Sequence, residues 1–366
     1  MQRTTKAQGP YKRSTSSQVN KLIMSFHYSS FITLLGVLLL LGFGKNLSAQ
    51  DPIFSQSFAT PLHINPAFAG VTLAPRINVN YRNQWPSWPN AYRSYAVSYE
   101  QPLELLNSGL GFLALADDAG NGIYKSSSFT AAYSYQVQTR QDLYFKLGFE
   151  AGFQQTRLDW EQLIFQDQLD PAIGLEEGVF TEENPPETFN RATLDLGTGL
   201  LIYNSKFYAG ISLKHINRAD ESWLNINPNL NLGRPMRTTF SAGADFRLPA
   251  GNKALGASFI SPNLVYINQG AFTQISAGAI GGFERIFGGI HYRHTFENPD
   301  AVIGLVGVRY GALRIAYSYD ATISALSLGA TGGSHEISLS ISLEDSRSVQ
   351  QKRRSRETIN CFKIFN

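Results

Sequence analysis

The chain has 366 residues, with 31 Lys and Arg against 28 Asp and Glu, and 12% of its residues are aromatic. Residues 1–49 hold six of the bases and no acid, so without them 25 bases face 28 acids and the net charge is −3. This balance does not favour nucleic-acid binding, and the single cysteine, Cys361, excludes an intrachain disulfide framework.

Residues 1–49 have the order of a secretory signal peptide. Basic residues come first, an apolar run covers 31–43, and the small residues Ser48 and Ala49 follow. We predict cleavage after Ala49, with Met24 as an alternative start that leaves a signal of ordinary length. A membrane anchor is disfavoured because a spanning helix needs about 20 apolar residues.

The predicted strands begin after this signal. Fourteen segments have the period-two alternation or the apolar content of a strand, near 73–82, 91–101, 109–117, 128–137, 143–154, 193–203, 206–215, 238–248, 253–268, 273–282, 287–294, 301–310, 312–320 and 335–343. The strands near 109–117 and 301–310 are apolar on both faces, and we expect a plug or an inward loop to cover them.

Most strands have one apolar and one polar face. Within 312–320, Leu313, Ile315, Tyr317 and Tyr319 alternate with Arg314, Ala316, Ser318 and Asp320. Because lipid cannot satisfy unpaired backbone groups, β-structure spans a membrane only as a closed barrel. With the apolar face in lipid and the polar face in the lumen, the pattern predicts an all-β protein, a transmembrane antiparallel β-barrel of fourteen strands in the outer membrane.

A soluble, exported β-sandwich would alternate equally well, but the connections favour the barrel. Those after predicted strands 4, 6, 8, 10 and 12 are short, as at Asn204-Ser205, Pro249–Asn252 and Gly311, and those after strands 1, 5, 7 and 13 are longer. Short periplasmic turns and longer outer loops are typical of outer-membrane barrels. We therefore predict a periplasmic segment or plug at 50–72, the barrel at 73–343, and a basic periplasmic tail at 344–366.

Two motifs flank the first predicted strand. The segment from Asn65 through Pro66 to Gly70 is either a turn, for which Asn-Pro and Gly are typical, or a periplasmic plug or docking segment. Arg82, Asn83, Gln84 and Trp85 begin the first predicted outer loop. Trp85 is either an anchor at the membrane interface or part of a surface for an external partner.

The polar residues of the last strands suggest pairing rather than catalysis. Asp320, His335 and Glu336 belong to no Gly-x-Ser-x-Gly or His-Glu-x-x-His motif, and we expect Asp320 or Glu336 to pair with Arg314 or Arg309. The acidic connection over 155–192 lacks the ligand spacing of a calcium loop. We therefore predict no enzyme activity, cofactor or metal site.

The C-terminal tail carries a basic cluster, Lys352, Arg353 and Arg354, and Cys361. It is either a solubilising tail or a contact for acidic periplasmic partners or peptidoglycan.

Several segments resemble the PorP/SprF family of outer-membrane proteins from the type IX secretion systems of Bacteroidota. In order, they are Asp51-Pro52-Ile53-Phe54-Ser55-Gln56, Asn65-Pro66-Ala67-Phe68-Ala69-Gly70, Tyr81-Arg82-Asn83-Gln84-Trp85, Val302-Ile303-Gly304-Leu305, Ala316-Tyr317-Ser318-Tyr319-Asp320, Gly333-Ser334-His335-Glu336-Ile337 and the tail with Lys352, Arg353, Arg354 and Cys361. The chain departs from the family at its last strand, which lacks a terminal aromatic, and at Phe362, where a proline is usual.

The resemblance implies a non-enzymatic outer-membrane component that supports secretion or surface attachment of cargo such as gliding adhesins. It implies contacts with outer-membrane lipid, with secretion components and cargo, and with a peptidoglycan-binding periplasmic protein. The alternative from the residues themselves is a porin or substrate-selective channel, since a fourteen-stranded barrel encloses a lumen lined by polar side chains.

Overall fold

The computed structural model describes residues 50–343 apart from 89–90, 141, 171–173, 176–177, 187, 222–232, 249–257, 297–298 and 325–327. The segment predicted as a signal, the C-terminal tail and the predicted turn at Pro249–Asn252 therefore lie outside the described residues.

Strands dominate the described residues. They are β1 (Arg76–Gln84), β2 (Tyr92–Leu103), β3 (Ser108–Ala119), β4 (Tyr124–Arg140), β5 (Leu143–Leu158), β6 (Leu169–Asp170), β7 (Gly174–Leu175), β8 (Asn190–Tyr203), β9 (Phe207–Lys214), β10 (Arg237–Ala244), β11 (Phe246–Leu248), β12 (Ser258–Gln269), β13 (Phe272–Phe283), β14 (Ile286–Thr295), β15 (Pro299–Tyr310), β16 (Leu313–Thr322) and β17 (Ser334–Ser342).

The described helices are short. The α-helices are α1 (Pro61–Ile64) and α2 (Leu328–Thr331), and the 3-10 helices are Ser57–Ala59, Pro66–Phe68, Glu104–Leu106, Trp160–Gln162 and Gln166–Gln168. None of the helices in the described part of the chain has the length and apolarity needed to cross a membrane.

The main sheet closes on itself. Each strand pairs with its neighbours in the chain, β1 pairs with β17, and both β10 and β11 pair with β12, so that β10 and β11 act as one interrupted strand. The small pair β6–β7 stands apart in the connection between β5 and β8. The prediction of a fourteen-stranded antiparallel barrel is confirmed.

The two ends of the barrel differ in their connections. At one end, the short-turn end, strands are joined by 104–107, 141–142, 204–206, 249–257, 284–285 and 311–312, and all of these but 249–257 have two to four residues. At the other, the long-loop end, the longest connections are 85–91, 159–189, 215–236 and 323–333. One connection at the long-loop end, between β12 and β13, has only two residues, Gly270 and Ala271.

The strands have the predicted faces. On β1, Ile77 and Val79 are exposed on the outside, whereas Asn78, Asn80 and Arg82 are each 2% exposed and point into the lumen. This strand ends two residues later than predicted, because the ladder with β2 and β17 continues to Gln84. Arg82, Asn83 and Gln84 therefore belong to a strand and not to a loop.

Residues 51–75, which we call the inner segment, lie inside the lumen. Phe58, Ile64 and Phe68 pack against a wall of Leu201, Tyr203, Tyr208, Val265, Ile267, Ile280, Phe287, Leu305 and Ala316. A second apolar cluster joins Phe54, Leu62, Ala69, Ala96, Leu113, Leu115 and Ala132. Burying each large side chain contributes about 1.5–3 kcal/mol. Cover by the inner segment explains why β3 and β15 carry inward apolar residues.

Candidate functional site

The inner segment crosses the whole lumen. Asp51 contacts groups at the long-loop end of the barrel, whereas the backbone of Gly70 lies against Gln101 and Pro102 near the short-turn end. The segment then enters β1, which starts at the short-turn end. Residues 51–70 therefore run through the lumen from the long-loop end to the short-turn end.

Asp51 is the centre of a buried charge cluster. Its carboxylate accepts from Arg234 Nη1 at 2.7 Å, His215 Nε2 at 2.8 Å and Arg237 Nη1 at 3.3 Å. Its backbone N–H donates to Gln269 Oε1 at 3.0 Å. Residues from one connection, 215–236, and from two strands, β10 and β12, thus fix the start of the inner segment at the long-loop end.

The opposite charges of this cluster stabilise each other's ionised forms. Burial disfavours the charged form of Asp51, but His215, Arg234 and Arg237 outweigh it and hold the pKa of Asp51 well below its usual value. Burial also opposes the charge of His215, yet Asp51 and a hydrogen bond to Asp195 raise the pKa of His215 to about 9. His215, in the connection after β9, is therefore protonated at neutral pH.

A second cluster holds Ser55 and Gln56. The Glu336 carboxylate accepts from Ser55 N at 2.7 Å and from Gln56 N at 3.0 Å. Ser55 Oγ donates to Asp320 Oδ2 at 2.7 Å. Gln56 Nε2 also donates to the backbone oxygen of Glu336 at 3.0 Å. Both the backbone and the side chains of this part of the inner segment are therefore hydrogen-bonded to the wall.

Arg82 links the carboxylates of this cluster. It lies 2.8 Å from Asp320 and 3.2 Å from Glu336, and Arg293 lies 2.9 Å from Asp320. The closure of the barrel creates the cluster, because Arg82 stands opposite Glu336 in the β1–β17 ladder.

The predicted partners of Asp320 and Glu336, Arg314 or Arg309, were wrong. Arg314 lies six residues from Asp320 on the same strand, which corresponds to about 20 Å. The observed partners, Arg82 and Arg293, come from strands at other places in the chain.

The motif from Asn65 to Gly70 is both a turn and a wall contact. Asn65 Oδ1 caps the 3-10 helix by accepting from Ala67 N at 2.8 Å, and Pro66 is its first residue. Asn65 Nδ2 donates to the backbone oxygens of Leu200 and Ile211, each at 3.1 Å. Gly70 has a φ of 62°, which favours glycine. Turn chemistry and docking in the lumen thus depend on the same residues.

The wall has a glycine where this turn approaches it most closely. A Cβ atom on Gly148 would lie 2.3 Å from the backbone nitrogen of Ala67. Lys146, two residues earlier on β5, donates to the backbone oxygen of Ala69 at 2.5 Å. The strand therefore supplies both the space and a charged donor for the turn.

Other motif residues share the outer face near the long-loop end. Tyr317 OH lies 2.8 Å from His335 Nδ1, and the rings of Tyr319 and His335 are 5.1 Å apart. Asn83 stands opposite His335 in the β1–β17 ladder. The motifs of β1, β16 and β17 thus converge on one sector, with charges inside and aromatic groups outside.

Trp85 ends this sector at the rim. It has a φ of 59°, and its backbone N–H donates to the backbone oxygen of Gly333 at 2.9 Å. Its ring centroid lies 5.4 Å from that of Trp88 and 6.5 Å from that of Tyr92. Lys352, Arg353, Arg354 and Cys361 lie outside the described residues.

The sequence patterns mark Asp51 only as the start of a family-like segment, and they do not mark His215, Arg234, Arg237 or Arg293. For Arg293 a signal exists, since the alternation of β14 puts it on the inner face with His291. For His215 and Arg234 no local pattern exists, because each lies in a connection. Among the described residues, no group of three or more His, Cys, Asp and Glu is arranged to hold a metal ion.

Comparisons with known proteins identify one family. The family model described as "Type IX secretion system membrane protein PorP/SprF" matches residues 46–341. Two mutant forms of Rh. blastica porin each have 6% identity and a TM-score of 0.31, covering 73% of this chain and 98% of theirs. A triple mutant of Rhodopseudomonas blastica porin has 5% identity at the same TM-score and coverage. No curated protein sequence matches the chain significantly.

Proposed function

Because the chain belongs to the PorP/SprF family of type IX secretion system membrane proteins, we propose that it supports secretion or surface attachment of protein cargo, such as gliding adhesins. In this role it is a non-enzymatic component of the outer membrane. Its barrel is surrounded by lipid, and its partners are other secretion components and the cargo.

The observation that carries this proposal is the position of the inner segment inside the lumen. The inner segment is joined to the wall by two buried charge clusters and two apolar clusters. Two cavities beside it have volumes of about 20 and 30 Å³, room for about one or two water molecules each. A barrel closed in this way supports a scaffold that acts through its two ends.

The two ends suit different partners. The long-loop end presents the rim with Trp85, Trp88 and Tyr92, and we assign it to cargo or to secretion components outside the barrel. The short-turn end is where β17 ends, and the basic tail with Lys352, Arg353 and Arg354 follows it. We assign this tail to a periplasmic partner, such as a peptidoglycan-binding protein.

The rival function is a porin or substrate-selective channel. It requires the inner segment to leave the lumen, which breaks the contacts of Asp51, Ser55 and Asn65 together. The scaffold requires those contacts to persist during function.

The experiment compares cargo display with conductance. We expect the double variant Trp85→Ala with Trp88→Ala to lose cargo from the cell surface while its conductance in planar bilayers stays at the wild-type level. The matched control, Phe283→Ala with Tyr310→Ala, removes exposed aromatics at the short-turn end and leaves display intact. A wild-type protein that conducts small solutes, together with normal display in the rim variant, would support the channel.

A further inference from the structure

The outer face of β4 and β5 changes from basic to apolar along its length. Nearest the long-loop end, Lys125 stands directly opposite Arg157. The next outward pair is Ser127 with Gln155, and the pair after that is a phenylalanine pair. Charged, polar and apolar groups thus follow one another over about 14 Å at ~3.4 Å per residue.

The apolar part of this face has a notch. Phe129 and Phe153 are 67% and 66% exposed, and the next outward pair consists of the small residues Ala131 and Ala151. Beyond it stands Tyr133 opposite Phe149, each also exposed. Two small side chains between two pairs of rings leave a shallow depression on the outer wall.

The two cations in the basic part of this face, Lys125 and Arg157, stand directly opposite each other. Lys125 and Arg157 are exposed, and within the described part of the chain neither has a carboxylate at ion-pair distance. Side chains directly opposite on an antiparallel pair have Cβ atoms about 5 Å apart, so like charges there repel. An anion between them would remove that repulsion.

The row of outward residues continues onto β3 and β2. Lys125 stands opposite Asp118, and Asp118 stands opposite Arg93, which is exposed. The Asp118 carboxylate accepts from Gly122 N at 2.6 Å. The row therefore has three cations and one anion, and its net charge is positive at strand ends, where the headgroups of a surrounding membrane lie.

We propose that this face binds a phosphorylated lipid of the surrounding outer leaflet, with the chemistry of lipid A. Lys125 and Arg157, aided by Arg93, hold the phosphate, Ser127 and Gln155 contact the sugar, and the notch at Ala131 and Ala151 receives an acyl chain. The order of these groups on the wall is the order of headgroup, sugar and chain in such a lipid. The proposal depends on the place of the barrel in the outer membrane and not on its part in secretion.

The test measures lipid binding by the purified, folded mature chain with native mass spectrometry. Diphosphoryl lipid A and its dephosphorylated form are the two probes. Removing a cation beside an anionic headgroup weakens binding by roughly fivefold. We therefore expect about 25-fold weaker lipid A binding by Lys125→Gln with Arg157→Gln, and no change in the binding of dephosphorylated lipid.

The control variant, Lys206→Gln with Arg247→Gln, removes two exposed cations near the short-turn end. Unchanged lipid A binding by the Lys125 and Arg157 variant, or an equal loss in the control, would overturn the proposal. Equal binding of phosphorylated and dephosphorylated lipid by the wild type would also overturn it. An Ala151→Leu variant fills the notch without changing charge, and we expect it to weaken the binding of both lipids. Faster migration of unboiled samples on gels verifies that each variant retains its barrel.

Discussion

Replacing Arg82 by glutamine tests whether the inner segment is held by buried charges. Arg82, Asp320 and Glu336 have side chains that are 2%, 1% and 0% exposed. Removing one partner of a buried ion pair costs about 3–5 kcal/mol, because the other charge stays buried without compensation. We therefore expect the Arg82→Gln variant to release the inner segment more readily than the wild type.

The remaining contacts of Asp320 and Glu336 determine where in this range the free-energy cost of the Arg82→Gln change falls. Asp320 keeps Arg293 at 2.9 Å, so it remains paired. Glu336 loses its ion pair with Arg82 but keeps hydrogen bonds from Asn80, Ser55 and Gln56. Because these three donors remain, we expect a loss near the lower limit, about 3 kcal/mol.

The assay is limited proteolysis of folded protein in vesicles, with cleavage inside residues 51–60 as the readout. A loss of about 3 kcal/mol increases the open population by roughly 150-fold, and cleavage that follows this population accelerates equally. The double variant Arg82→Gln with Glu336→Gln removes the unpaired charge, and we expect it to recover at least half of the loss. Wild-type cleavage rates in Arg82→Gln would refute the reasoning.

Three further predictions concern the contacts and the orientation. First, the pKa of His215 is raised from 6.5 to about 9 in the folded chain. The charge of His215 therefore stabilises the folded state by roughly 3 kcal/mol. This stabilisation is complete below pH 6.5 and is lost as the pH rises through about 9. Cleavage after Pro52 should accelerate over this interval, and a His215→Asn variant that shows the same pH profile would contradict the assignment. Second, Gly148→Ala places a Cβ 2.3 Å from Ala67 N and should cost about 1–3 kcal/mol, measured as a lower urea midpoint, whereas Gly304→Ala, with nothing within 4 Å, should not change it. Third, in a Cys361→Ser background, a cysteine replacing Glu182 at the long-loop end should react with an impermeant maleimide on intact cells, and a cysteine replacing Leu105 at the short-turn end should not. Labelling of Leu105→Cys alone would reverse the assigned orientation.

The barrel was predictable because its signal is local. Period-two alternation is visible within each strand, and Ile77, Val79, Tyr317 and Ile337 all lie on the outer face that it assigns. The boundaries were less accurate. The first predicted strand included residues 73–75, which precede the ladder, and excluded Gln84, whose pairing depends on neighbouring strands.

The interior was less predictable because its contacts join distant parts of the chain. That Asp320 and Glu336 have ionic partners followed from their inward positions, but their identities depend on the closing register of β1 and β17. The inner segment has no regular alternation of apolar and polar residues from which its path through the lumen could be predicted. Its start, Asp51, is held by residues 164 to 218 positions away in the chain.

The central claim is that this barrel supports the export or surface attachment of proteins. The most direct test compares the surface and secreted proteins of the wild type, a deletion of this gene, and the deletion complemented with the gene. The account predicts that at least one large cargo protein disappears from the surface in the deletion and returns on complementation. An unchanged set of surface and secreted proteins would contradict it.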